Sequence, residues 1–87
     1  MIEIVVLTNS LVYVGEVVYH EDSLRIAPAW NIRRFGTTRG LGEIALNGPT
    51  RDTILDPSGP IKVFYESKSW IHSMECEQEP WIKKLLR

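Results

Sequence analysis

"LVYVGEVVYH", residues 11–20, is the stretch on which the fold turns. β-Branched and aromatic residues fill it, which is the composition of a strand. Successive side chains of a strand point to opposite faces. Val12, Val14, Glu16, Val18 and His20 therefore share one side, and Leu11, Tyr13, Gly15, Val17 and Tyr19 the other. Both sides are mostly apolar, so the strand belongs at the centre of a sheet or in a subunit contact. Gly15, bare among branched neighbours, predicts a bulge or a sharp coil of that sheet.

Upstream, "IEIVVL" (2–7) reads as a buried strand, and "TNS" (8–10) supplies the turn of a hairpin. Downstream, "HEDS" (20–23) is a polar turn and "LRIA" (24–27) resumes the strand pattern. Pro28 has no N–H for a ladder, so an edge or a bulge is expected there, with "AWNIRRF" (29–35) extended beyond it. "GTTRG" (36–40) is loop. "GLGEIALNGP" (40–49) carries a short helix: Leu41, Ile44 and Ala45 recur at helical spacing, Glu43 sits in the first turn, and Gly48-Pro49 supplies the stop. "DPSGP" (56–60) reads as a turn, and "IKVFYE" (61–66) with "SWIHSMEC" (69–76) as a second hairpin. In "EPWIKKLLR" (79–87), Pro80 takes the first helical position, and Trp81, Ile82, Leu85 and Leu86 form one stripe. The expected fold is mainly β: a small coiled antiparallel sheet or open barrel of about five strands, with one short helix and a short C-terminal helix. Residues 1–87 are read as a single domain.

A chain of 87 residues hides only roughly 60–65% of its unfolded surface, so its core is marginal. The composition, 44% hydrophobic and 24% charged, is that of an ordinary globule. A net charge of −1 argues against bulk electrostatic binding of DNA or RNA. The N-terminus lacks the pattern of a secretory signal, and no apolar run approaches a membrane span. One cysteine, Cys76, excludes an internal disulfide and suits a reducing cytosol, so a cytoplasmic protein is expected. The apolar and aromatic excess at Tyr13, Tyr19, Phe64, Tyr65, Trp70 and Trp81 is more than so small a domain buries readily, which points to a homo-oligomer. The Trp81 stripe then docks either on its own sheet or on a neighbour.

Catalytic patterns are absent. Ser10, Ser23, Ser58, Ser67, Ser69, Ser73 and Cys76 are available nucleophiles, with His20 and His72 as bases, and no elbow motif or spacing marks any of them. His72 and Cys76, four apart on a strand, stand about 13 Å apart along the chain, and with His20 they fall short of the four ligands of a structural zinc. No metal or cofactor is expected. Binding chemistry concentrates instead in "APAWNIRRFGTTRG" (27–40). If 29–35 is extended, Trp30, Ile32 and Arg34 share one face, setting an indole beside a guanidinium. An indole stacks on a base, and arginine forks grip phosphate bidentately. The candidate ligand site is therefore Trp30, Arg33, Arg34, Thr37, Thr38 and Arg39, the threonines hydrogen-bonding phosphate or ribose. The competing reading makes Trp30 a core residue and pairs Arg33 and Arg39 with Glu43 or Asp52.

The succession "VVLTNSLVYVGEVV", "RIAPAWNIRRFG", "GLGEIALNGP" and a late strand ending "HSMECE" resembles a group of small phage and prophage proteins to which no activity is attached. Val12, Tyr13, Val14 and Gly15 match its hairpin, and Leu41, Glu43, Ile44, Ala45 and Gly48 its short helix. Arg33 and Arg34 with Trp30 match its Arg/Trp-rich strand, although the group's tryptophans follow the arginines. The resemblance implies viral origin. By analogy of kind, small viral proteins of this sort look like oligomeric sponges that sequester nucleotide immune signals. The expectation is thus a non-catalytic, homo-oligomeric, phage-encoded protein sequestering a cyclic nucleotide or ADP-ribose type ligand to counter host defence. The alternatives are a protein-binding inhibitor or interaction module with a host protein partner, and a small β-barrel for single-stranded nucleic acid.

Overall fold

The computed structural model describes residues 1–8, 10–67 and 70–86. In chain order it contains β1 (Ile2–Leu7), β2 (Val12–Tyr19), β3 (Ser23–Arg34), α1 (Leu41–Asn47), β4 (Ile54–Ser58), β5 (Ile61–Phe64), a 3-10 turn (Tyr65–Ser67), β6 (Trp70–Glu75) and α2 (Gln78–Leu85). The fold is mainly β, as expected: a single open antiparallel sheet with two helices. Its strands run β4-β3-β2-β1-β6, and β5 also pairs with β3. No helix among the described residues is long and apolar enough to cross a membrane.

β2 is central, between β1 and β3, and both its faces are used. Val12 and Val14 join Ile2, Ile4 and Ile32 beneath Ile44 and Ala45 of α1 and Trp81 of α2. Val17 joins Val5, Leu7, Leu24, Ile26, Ala29 and Val63 on the other face, with Tyr13 packed against them. Two cores therefore share three strands.

The device that allows this lies where Gly15 and Pro28 meet. The β2–β3 register slips from Gly15↔Ala29 to Val17↔Ile26, so Ala27 and Pro28 together face Glu16. That is a bulge, and it shifts the alternation of β3 by one. Leu24, Ile26 and Ala29 then face one core, and Trp30 and Ile32 the other. Gly15 is required, because a Cβ there would stand 2.1 Å from the Pro28 carbonyl oxygen. Pro28, after a cis peptide bond, is not on an edge. It sits where β5 (pairing with 23–26) gives way to β4 (pairing with 29–34), so neither partner asks it for an N–H.

Two local expectations are corrected. The turn read at 56–60 contracts to Gly59-Pro60, because Asp56, Pro57 and Ser58 end β4. β4 pairs with β3 alone, and an edge strand tolerates proline. The hairpin expected between 61–66 and 69–76 does not form: β5 pairs with β3, and β6 with β1. The 3-10 turn diverts the chain, held by Tyr65 N–H on the Asp22 carbonyl (3.2 Å) and Tyr65 Oη on the His20 carbonyl (3.0 Å). Asn9 of the first turn, Ser69 of that hairpin and Arg87 lie outside the described residues, as does the side chain of Trp70.

In α2, Pro80 is the third residue and not the first, still within the turn whose N–H groups lack helical partners. Trp81 is fully buried and Leu85 packs beside it, while Ile82 and Leu86 are exposed. Half of the stripe, Trp81 and Leu85, docks on its own sheet.

Candidate functional site

The end of β3 is irregular. Its register with β4 slips between Ile32↔Leu55 and Arg34↔Ile54, so strand alternation fails just where the two arginines stand. Arg33 turns to Asp56 and grips it with both arms, Nε to Oδ2 at 2.8 Å and Nη2 to Oδ1 at 3.2 Å. That bond holds the guanidinium pKa above its ordinary value. Arg34 makes no ion pair among the described residues.

Beyond Arg34 the chain is pinned by two threonines from the segment before β4. Thr53 Oγ1 donates to the Phe35 carbonyl (2.6 Å), and Thr50 Oγ1 to the Gly36 carbonyl (2.7 Å). The Thr50 N–H reaches Thr53 Oγ1 (2.9 Å), and Thr53 N–H the Thr50 carbonyl (3.1 Å). Gly36 has a φ of 73°, and its missing Cβ lets Asp52 and Thr53 pack against it, with Thr53 N only 2.3 Å from where that Cβ would be. Two loops distant in sequence are thereby zipped into one wall.

That wall borders an open cleft of about 430 Å³ lined by Arg34, Phe35, Gly36, Thr37, Thr38 and Asp52. The Phe35 ring is exposed. Thr37 Oγ1 donates to Glu43 Oε1 and accepts the Arg39 N–H (3.3 Å). Arg39 reaches Glu43 at 3.6 Å and lines a neighbouring cleft with Gly42, Leu46 and Asn47.

The six residues singled out in the sequence are therefore divided. Arg34, Thr37 and Thr38 come together on one cleft. Trp30 does not join them: its ring is half-buried against the core under the helices. Arg33 is committed to Asp56, and Arg39 to Glu43. Sequence reasoning passed over Phe35 and Asp52. Strict alternation assigns Phe35 to the face opposite Arg34, but β3 ends at Arg34, so strand alternation no longer places Phe35. Asp52 arrives from another loop, and the only local sign of it is the hydroxyl pair Thr50 and Thr53 that closes its turn.

Elsewhere, His72 is exposed and Cys76 buried, and no group of three or more His, Cys, Asp or Glu residues among the described ones is placed to hold a metal ion. Glu3 is a buried carboxyl that accepts the Tyr19 hydroxyl, which also lies 3.0 Å from Ser73 Oγ. Burial, and then the bond to Glu3, push the Tyr19 pKa up. This trio ties β1, β2 and β6 on one face. Comparison of the chain with protein-family models, with curated proteins and with solved structures returns no match.

Proposed function

We propose that this protein is a non-catalytic binding protein for a phosphate-bearing nucleotide, held in the cleft of Arg34, Phe35, Thr37, Thr38 and Asp52. The observation that carries the reading is the fate of the three arginines. Arg33 and Arg39 have acidic partners, whereas Arg34, which lines the cleft, forms no ion pair among the described residues. A free guanidinium fork suits a phosphate, with two parallel charge-assisted bonds. Phe35 takes over the stacking role first given to Trp30, a contribution of about 1–3 kcal/mol per base. Thr38, whose hydroxyl has no partner among the described residues, supplies a hydrogen bond to phosphate or ribose. The walls offer recognition groups, which fits sequestration, in line with the phage-protein resemblance and an anti-defence role.

The test is thermal shift and calorimetry against cyclic dinucleotides, mononucleotides and ADP-ribose derivatives. Ligand at 100 times its Kd is expected to stabilise the fold by about 2.7 kcal/mol. Arg34→Ala abolishes that gain, and Trp30→Phe, which keeps the core filled, leaves it intact. A panel without any stabilising ligand, or an Arg34→Ala variant that binds as well as the parent, overturns the reading.

A second reading, protein docking or self-association, is favoured by an apolar groove of about 550 Å³ lined by Met1, Gly42, Ala45, Leu46 and Met74 and edged by Glu75 and Glu77. Leu46 is 66% exposed beside it. Leu46→Glu is expected to shift the sedimentation of any oligomer toward monomer while leaving nucleotide binding unchanged. Identical sedimentation of variant and parent removes this groove as the contact.

A further inference from the structure

We infer that the nucleotide this cleft reads is a guanine nucleotide, with Asp52 as the base-reading group; the inference rests on the nucleotide-binding reading above. A carboxylate on the wall of a phosphate site is at first sight out of place. Asp52 lines the same cleft as Arg34, yet the two form no ion pair, and Asp52 pairs with no other cation among the described residues. The cleft thus keeps a free cation and a free anion apart. A ligand that fits it carries negative charge at one end and hydrogen-bond donors at the other.

An ionised carboxylate accepts and never donates, so Asp52 selects donors. Among the common bases, guanine alone presents two adjacent donors on its pairing edge, N1–H and the N2 amine, matching the two oxygens of one carboxylate. Adenine sets its single amine beside an acceptor nitrogen, cytosine does the same, and uracil flanks one N–H with two carbonyls. Each would turn a lone pair toward Asp52. A lone pair set against an ionised carboxylate costs those bases affinity, by a modest factor because Asp52 stays in contact with water.

Position supports the assignment. The Asp52 N–H donates to Thr50 Oγ1 (3.1 Å), and its backbone packs against Gly36. Thr53, the next residue, holds the Phe35 carbonyl. The backbone segments that carry the ring and the carboxylate are therefore held by one pair of threonines. Arg34 stands ready for the phosphate, and the cleft volume lies within the range of small-ligand sites.

The experiment is calorimetric titration of the full chain with guanosine, inosine and adenosine 5′-monophosphates and with 2′-deoxyguanosine 5′-monophosphate. Guanosine monophosphate is expected to bind at least tenfold more tightly than adenosine monophosphate. The inosine compound, lacking the N2 amine, falls between them, and the deoxy compound matches its ribose parent. Asp52→Asn, which replaces one acceptor oxygen with a donor, removes the guanine preference, bringing the guanosine and adenosine affinities within about threefold of each other. Its melting temperature, expected to equal the parent's, shows that the fold is retained. Equal affinity for guanine and adenine compounds, both lost in Arg34→Ala, overturns the guanine inference and leaves the nucleotide site standing. Loss of binding with the deoxy compound assigns Asp52 to the ribose and likewise overturns it. Absence of binding by every compound here and by the wider panel overturns the nucleotide reading itself.

Discussion

At Cys76 the side chain is only 5% exposed, at the point where β6 hands over to α2 in the helix-covered core. Burial, reinforced by the negative charge of Glu3 and opposed by a backbone hydrogen bond from Ile4, pushes its thiol up to about 12. Thiolate is the reactive form, so the native protein is expected to resist thiol reagents at pH 8 and to react only on unfolding. The linkage runs the same way. The folded thiol keeps its proton to about 12, while an unfolded one loses it near pH 9. The folded state therefore binds more protons across that interval, and stability falls as pH rises from about 9 to 12. Urea titrations at pH 8, 10 and 11 are expected to show this decline, with a shallower slope in Cys76→Ala, whose deficit in stability at pH 8 narrows as pH rises. A variant with an unchanged slope would assign the alkaline loss to other groups, Tyr19 first among them.

At the scale of elements, the bulge between β2 and β3 decides the architecture, and its glycine is testable against another that has nothing to do. Gly15→Ala drives a Cβ to 2.1 Å from the Pro28 carbonyl oxygen and 2.7 Å from Ile26 Cγ2, both in a packed interior. A loss of about 3 kcal/mol is expected, which for a domain of this size lowers Tm by more than ~10 °C. Gly42→Ala places its Cβ in open space on α1 and is expected to stabilise by about 0.5–1 kcal/mol. Differential scanning calorimetry of the two variants separates required from incidental glycine, and equal melting temperatures would refute the assignment. Gly15 and Pro28 were legible in the sequence because each breaks a local rule, one by having no side chain and the other by having no N–H. The short helix was legible from Leu41, Ile44, Ala45 and Gly48, whose spacing is local too. The partner of β5 was not. "IKVF" is a strand by composition, but its choice of β3 over β6 follows from Tyr65 holding His20 and Asp22, contacts some 45 residues apart. The candidate cleft was half legible for the same reason. Arg34, Thr37 and Thr38 come from one stretch, whereas Asp52 and the clamp of Thr50 and Thr53 are brought in by the tertiary fold.

The whole molecule depends on a sheet with a core on each face, in a chain whose length leaves little stability to spare. α2 closes the helix-covered core through three kinds of contact. Trp81 is fully buried, and its Nε1–H donates to the Ile44 carbonyl at 2.8 Å. The Glu77 N–H reaches the Ala45 carbonyl at 2.8 Å. Gln78 extends the end of β1 as a further rung would, its Oε1 accepting the Ile2 N–H (2.9 Å) and its Nε2 donating to the Ile2 carbonyl (3.0 Å). Because the Ile44 carbonyl also accepts the Gly48 N–H, it is not orphaned when the indole goes. Trp81→Phe is therefore expected to cost about 2 kcal/mol, one hydrogen bond and a small void, and Trp81→Ala about 3–5 kcal/mol through the larger void it leaves. The second core shares β1, β2 and β3 with the first and adds to them only β5 and the turn after it. In Trp81→Ala, hydrogen exchange at Val5, Leu24 and Val63 is expected to accelerate in step with that at Ile4 and Val14, since opening one face opens the sheet they share. Exchange that rose on the helix face alone would mean two separable units, and with them a cleft at the end of β3 that does not rely on α2 for its shape.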